Sequence, residues 1–344
     1  MRALVYRGPQ DLRVEERADP KPGPGEALLS VAACGICGTD LRIAAGAHRA
    51  YPDGTVRVPG HEIAGTVAAV GTGVDLDVGA PAFVAPNIGC GRCPACRAGR
   101  VNLCRNPRAL GITDDGGFAE HVLLDEQLVA QGNVLVVEEG LDMAALALVE
   151  PLACALRGSN ACAIAEGDLV VIVGAGPVGL MHLQLARLRE PAAVIVSEPS
   201  AARRAEAARF GADLTVEPAD LAGAVAERSD GLGANVIVTA APASAAQRQA
   251  LELAAPAARI NFFGGLPRDS SRVELDTNLI HYGELVVTGT TANTTEDCRE
   301  ALELVVSGRV DTAALVGARE PLDSASQAFE AARSGELLKV VIEP

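Results

Sequence analysis

Apolar and polar residues alternate over short runs in the first third of the chain, and Gly and Pro punctuate them. Residues 3–8, 26–34, 61–74, 80–86 and 116–124 follow this pattern, and a period of two places one face of a strand on a core. They predict an irregular, β-rich domain punctuated by turns. Past Glu150 the rhythm changes. Residues 150–165 have helical spacing, and residues 169–176 form a continuous apolar run into a Gly-rich turn. Helical segments at 179–189, 200–212 and 244–255 then alternate with apolar runs at 193–198, 234–240 and 259–265, and residues 281–290 read as a last strand. Strands alternating with helices specify a parallel, doubly wound α/β sheet. In the tail, helices at 295–308 and 322–335 lead to a strand at 339–344, most simply completed by pairing with the first domain. The expected division is residues 1–149 with 291–344, and residues 150–290.

A chain of 344 residues exceeds what one core usually serves, which agrees with two domains. Aromatics make up only 3% and Trp is absent, so packing relies on Ala, Val and Leu. The net charge of −15 argues against nucleic acid or an anionic membrane as partner, since both attract basic surfaces. No segment stays apolar long enough to cross a bilayer, and the N-terminal stretch lacks a signal-peptide core. A cytoplasmic location is expected. Nine cysteines there point to metal or chemistry before disulfides.

The apolar run at 169–173 ends on Gly174, Gly176 and Gly179, in G-x-G-x-x-G spacing, and a helix follows. A strand before and a helix after are the context this motif needs. Gly174 permits the tight turn, Gly176 admits a pyrophosphate, and Gly179 allows helix and strand to pack closely, with Pro177 and Val178 opening the helix over the phosphates. Glu198 ends the next strand, where a carboxylate accepts both ribose hydroxyls and repels a 2′-phosphate. Arg203 follows it, placed to stack on adenine or meet such a phosphate. The carboxylate is the stronger influence, so NAD is expected rather than NADP.

Cys90, Cys93, Cys96 and Cys104 form C-x2-C-x2-C-x7-C, the spacing of a closed, tetrahedral structural zinc. Arg92, Arg97, Arg100, Arg105 and Arg108 surround them with no acid among them, and are expected to offset the thiolates and lower their pKa values. A second constellation is dispersed: Cys37, His61, Glu62 and Glu150. Cys, His and carboxylate together suit an open zinc site with one position left for water or substrate.

The motifs GICGTD at 35–40, PGHEIAGTV at 59–67, the four-cysteine lobe, EPLAC at 150–154 and GAGPVG at 174–179 run the length of the chain. In these it resembles the zinc-containing medium-chain dehydrogenase/reductase superfamily. Glu150, where liver-type relatives have a cysteine, is similar to the polyol branch of sorbitol and threonine dehydrogenases. The stretches AHRAYP at 47–52 and SEPSAARRAEA at 197–207 resemble cyclitol dehydrogenases of the 2-deoxy-scyllo-inosamine type. The resemblance implies a GroES-like catalytic domain with a structural zinc lobe, joined to a Rossmann domain. It implies Cys37, His61 and Glu62 as zinc ligands and Glu150 as a ligand or a partner of zinc-bound water. It further implies Thr39 as first proton acceptor, Asp40 as a partner behind the site, and a homodimer or homotetramer. Many relatives carry a His five residues after the zinc cysteine; here that position is Arg42, and a guanidinium cannot relay a proton. Either Thr39 hands the proton to the cofactor ribose and water, or Glu62 and Glu150 share this catalytic work.

The expected activity is hydride transfer between NAD and a secondary alcohol, either a polyol, a cyclitol or an amino-cyclitol, with zinc as Lewis acid. A threonine-type amino alcohol is the enzymatic alternative. A zinc- and nucleotide-binding protein without turnover is the other class, and metal content separates them: about two zinc per chain for the enzyme, about one for the lobe alone.

Overall fold

The computed structural model describes the backbone of residues 1–344 and every side chain except that of Arg268. It divides into two compact units, Met1–Ala153 with Ala292–Pro344, and Cys154–Thr291.

The first unit opens with the antiparallel hairpin β1 (Arg2–Gly8) and β2 (Asp11–Glu16). β3 (Ala27–Ile36) follows, then the short helix α1 (Gly38–Ala44), β4 (Glu62–Val70) and β5 (Pro81–Val84). β6 (Asn87–Ile88) and β7 (Arg108–Ala109) pair at the base of a cysteine-bearing lobe that holds α2 (Pro94–Arg97). β8 (His121–Leu124), α3 (Glu126–Ala130), β9 (Val134–Val136) and α4 (Met143–Ala147) complete this part, and α5 (Val149–Cys162) carries the chain onward.

The second unit alternates strand and helix: β10 (Leu169–Val173), α6 (Pro177–Arg187), β11 (Ala193–Ser197), α7 (Ala201–Arg209), β12 (Leu214–Val216) and α8 (Leu221–Arg228). β13 (Ala234–Thr239), α9 (Ser244–Glu252), β14 (Ala254–Asn261), α10 (Thr277–Gly283) and β15 (Val286–Thr288) follow. The strands pair in parallel, in the order β12-β11-β10-β13-β14-β15. β10 has a neighbour on each edge and a buried interior, hence its unbroken apolar run. The strand order reverses between β10 and β13, the place where open α/β sheets bind ligands.

The chain then returns to the first unit with α11 (Thr295–Val306), β16 (Val316–Pro321), α12 (Ala325–Ser334) and β17 (Lys339–Glu343). As expected, the terminal strand pairs with the first domain. β17 runs antiparallel to β3, with Val340 opposite Ile36 and Ile342 opposite Cys34. On its other side β3 pairs with β4, where Gly35 faces Glu62. Leu29, Val31, Ile63, Phe118, Leu124 and Phe329 are buried in one core around this sheet.

Four details differ from the sequence reading. The pair β12 and α8 had no counterpart there, because three half-buried residues show no period. Residues 281–290 are not one strand: His281 to Gly283 close α10, Glu284 turns through φ 50°, and β15 begins at Val286. The apolar runs at 259–265 and 281–290 are each expected to leave an exposed sheet edge, but β14 lies inside its sheet and only β15 is an edge. The first boundary falls inside α5, four residues late, since Glu150 in its first turn is bonded to Asn293 of the first unit. Among the described residues no helix is long and apolar enough to cross a membrane.

Candidate active site

Cys37 caps α1. Its N–H donates to Asp40 Oδ2 at 3.0 Å, and its Sγ accepts from the Thr39 N–H at 3.2 Å. This reciprocal cap turns the sulfur outward from the helix start and fixes Asp40, which is fully buried. Cys37 Sγ lies 3.2 Å from His61 Nε2, and His61 Nδ1 faces Asp40 Oδ1 at 3.6 Å. A metal-bound imidazole is commonly held from behind by a carboxylate in this way. Burial alone would lower the His61 pKa, but the Cys37 sulfur and Asp40 outweigh it and hold the imidazole well above its usual range. A place that holds a proton so firmly between sulfur and imidazole is one a divalent cation can take instead.

The donor atoms of Cys37, Asp40 and His61 lie within 4.8 Å of one another, as do those of His61, Glu62 and Glu150. The four anticipated ligands are thus gathered around His61 as two overlapping groups. Glu150 is buried, and burial raises its pKa, against the pull of His61. Its Oε1 accepts from Asn293 Nδ2 at 2.7 Å. Glu62 is differently placed. Both its oxygens accept from Lys339 Nζ at 2.5 Å, and Nζ also donates to the Ile36 carbonyl at 3.1 Å. Lys339 is 4% exposed and Glu62 not at all. Gly35 makes room for this pair: a Cβ there would stand 2.0 Å from Glu62 Oε2. Lys339 and Asn293 escaped the sequence reading. The only local signal was a lysine inside the apolar run 337–342, a position where an unpaired cation is costly.

Thr39 Oγ1 accepts from Arg42 Nη2 at 3.1 Å. Cys34 is fully buried, its Sγ wedged against Gly60, and its pKa is raised well above the usual thiol range by burial. It is a packing residue, as are Cys162 and Cys298, both buried.

In the lobe, the sulfurs of Cys90, Cys93, Cys96 and Cys104 all lie within 4.8 Å of one another, and none is in a disulfide. Cys93 Sγ is 3.5 Å from Cys96 Sγ and 3.9 Å from Cys104 Sγ. A tetrahedral zinc with sulfur at about 2.3 Å separates its sulfurs by about 3.8 Å, so the four thiols fit that ion. The arginines are not what tunes them. Backbone N–H groups of Cys96 and Arg105 bring Cys93 down to about 6, while burial pushes Cys96 up to about 12. Arg92, Arg97, Arg100 and Arg105 are exposed instead. Zinc uptake by the lobe is expected to weaken as pH falls through about 6, where Cys93 takes up its proton. Cys104→Ser should lower zinc content from about two to about one per chain while the remaining folded protein still turns over. Metal analysis beside an activity assay checks both; a variant that retains both ions overturns the lobe assignment.

In the second unit, β10 runs into Gly174 at φ 106°, a left-handed turn, and Gly176 caps α6 with Pro177 in its first turn. A Cβ on Gly179 would lie 1.9 Å from the Gly174 carbonyl oxygen, whereas Gly176 faces open space. Val178 sits in the first turn of α6. Glu198 is 5% exposed, and its carboxylate accepts from the Ala175 N–H and the Ser200 N–H, each at 2.9 Å. Arg203 lies in the first turn of α7, where its N–H donates to the capping Ser200 Oγ. Arg204 is committed to the Glu198 and Pro199 carbonyls and to Glu217.

Residues 23–133 match the model of the alcohol dehydrogenase GroES-like domain, and residues 177–307 that of the zinc-binding dehydrogenases. The chain is 36% identical to the L-threonine 3-dehydrogenase of Pyrococcus furiosus, over 94% of this chain and 92% of that one. It is 30% identical to the L-galactonate-5-dehydrogenase of Escherichia coli, over 99% and 98%. A zinc-binding dehydrogenase of Sinorhizobium meliloti, solved with NADP bound, superposes with a TM-score of 0.91 at 36% identity, covering 100% of this chain and 99% of that one.

Proposed function

Because the chain belongs to the zinc-containing medium-chain dehydrogenase/reductase superfamily, in its polyol branch, we propose that it transfers a hydride between a secondary alcohol and NAD. It is an oxidoreductase of the zinc-dependent alcohol dehydrogenase type. The observation that carries the finer reading is the cluster Cys37–His61–Asp40, with Glu150 beside His61. Zinc held there by Cys37, His61 and a glutamate supplies Lewis acidity toward the substrate oxygen, as NAD supplies the hydride acceptor.

The chain's own residues divide the remaining work. Asp40 holds the His61 ring from its Nδ1 side. Thr39 receives the alcohol proton at Oγ1. Arg42 uses one lone pair of that oxygen, which leaves the other to accept from substrate and the O–H to donate onward. Arg42 itself stays protonated, so the proton does not leave through it. Glu62 gives both its oxygens to Lys339. Glu150, whose pKa is raised by burial, is the carboxyl group suited to exchanging a proton or a water.

NAD is favoured by the Glu198 carboxylate, fixed by two backbone amides with lone pairs left for ribose hydroxyls. Glu198→Ser is expected to raise the NADP-to-NAD ratio of kcat/KM by about tenfold or more, by removing repulsion of a 2′-phosphate. Steady-state kinetics with both nucleotides checks this, and a wild-type enzyme already preferring NADP overturns it. The exposed edge strand β15, with Val286 51% and nearby Tyr282 80% exposed, supports pairing of two copies into a homodimer. Light scattering should give twice the chain mass.

The substrate reading is a secondary alcohol with a polar neighbour: a polyol, a cyclitol or an amino-cyclitol. L-threonine is the second reading, favoured by the 36% identity to threonine dehydrogenases. The test is NADH absorbance with a panel of polyols, cyclitols and amino alcohols, before and after removal of the labile zinc. Metal-dependent activity on one class supports the reading. A response to primary alcohols alone refutes it.

A further inference from the structure

Helix α1 and the loop after it present a cationic edge beside the metal donors. Arg42 is exposed, and its Nη2 donates to Thr39 Oγ1 at 3.1 Å; the Thr39 N–H in turn donates to Cys37 Sγ at 3.2 Å. A guanidinium therefore stands beside the residue that meets the substrate hydroxyl. The loop folds back against α1, with the Ala47 N–H donating to the Arg42 carbonyl at 2.9 Å. It is firmly held: Arg57 Nη1 donates to the carbonyls of Ala50 and Ile112 and its guanidinium covers the buried Tyr51 ring, whose hydroxyl donates to the Gly111 carbonyl. His48 packs edge-on to that ring, and its Nδ1 accepts from the Ala50 N–H at 3.3 Å. In its neutral form the imidazole then carries its proton on Nε2 and can only donate from there.

Arg49 is exposed next to it. Burial and then the charges of Arg42 and Arg49 hold the His48 pKa below its usual range, so both guanidiniums act on the same imidazole. Among the described residues no carboxylate lies within 4.0 Å of either guanidinium. Arg2, Arg108 and Arg319, by contrast, each meet two carboxylates. On a chain of net charge −15, Arg42 beside the reactive hydroxyl and Arg49 on the loop that follows α1, neither with a carboxylate partner, form a local reversal of sign.

We infer that Arg42 and Arg49 receive an anionic group of the substrate, so that the enzyme selects hydroxy compounds bearing a carboxylate or a phosphate over neutral polyols. A guanidinium fork binds either group through two parallel hydrogen bonds. A neutral polyol leaves both forks in water. The inference rests on the reading of Cys37, Thr39 and His61 as the alcohol-binding centre.

Calorimetric titration of the zinc-loaded protein, without nucleotide, compares galactitol, galactonate and galactitol 1-phosphate. At low salt at least one acid should bind about tenfold or more tightly than galactitol, as expected for hydrogen bonds to charged groups, and the stronger acid identifies carboxylate or phosphate. The preference should vanish in Arg42→Gln/Arg49→Gln, whereas a merely structural role would weaken all three alike. Equal binding of all three compounds overturns the inference. So does a double variant that keeps the preference but loses affinity for NAD, which would assign the guanidiniums to the cofactor. NADH production from the same compounds keeps the two readings apart. Arginine-dependent anion binding without turnover upholds the anion site and refutes the proposed substrate reading. Turnover of galactitol with no preference for an acid does the reverse.

Discussion

Cys37→Ser is expected to release one zinc per chain and to lower NADH formation by about 10³-fold, the rate equivalent of several kcal/mol of lost charge stabilisation. Serine is the informative substitute. Its Oγ can accept from the Thr39 N–H as the sulfur does, and serine is among the preferred N-caps, so α1 keeps its start and Asp40 its anchor. The hydroxyl does not ionise, however, and is a poor zinc ligand in place of the sulfur that stands 3.2 Å from His61 Nε2. Stability should change little while metal and turnover fall together. Metal analysis, a melting curve and an NADH assay on one preparation test this. A variant that retains both its zinc and its rate shows that Cys37 is not a ligand.

Lys339→Met is expected to cost about 3–5 kcal/mol, because it strands a carboxylate in a buried site. Glu62 is fully buried, and both its oxygens depend on Lys339 Nζ. At about 2–4 °C per kcal/mol for a unit of this size, the melting temperature should fall by about 6–20 °C. The double variant Lys339→Met/Glu62→Gln removes the charge along with its partner. It should recover more than half of the loss, since a buried pair replaced by neutral groups is often tolerated. The difference, read as a double-mutant cycle, measures the coupling directly. A single variant that melts within 2 °C of wild type, a change of about 1 kcal/mol or less, would show that solvent or another group already serves Glu62.

These two expectations differ in how visible they were beforehand. The Cys37 cluster was named from sequence, although only residue types and the resemblance joined Cys37 to His61. The partner of Glu62 was not named at all, because 277 residues separate it from Lys339. Asn293, which fixes Glu150, is 143 residues away from it. The sequence places Glu198 at the end of a strand for ribose, and the structure adds that two backbone amides orient it.

The sequence by itself determined the parallel α/β unit, the glycine turn, the four-thiol lobe and the return of the last strand to the first unit. Each of these depends on periodicity or spacing within a few tens of residues, where backbone geometry leaves few alternatives. It was silent where an element was too short to show a period, as in β12, and where a helix and a strand abut, as at Glu284. Only the tertiary structure decided which buried charges meet. The register of β17, β3 and β4 sets Lys339 and Glu62 about Gly35 and Ile36, and the missing Cβ of Gly35 lets the carboxylate lie across the strand. Register is a property of strands brought together from distant parts of the chain, so no local pattern of residues could disclose that pairing.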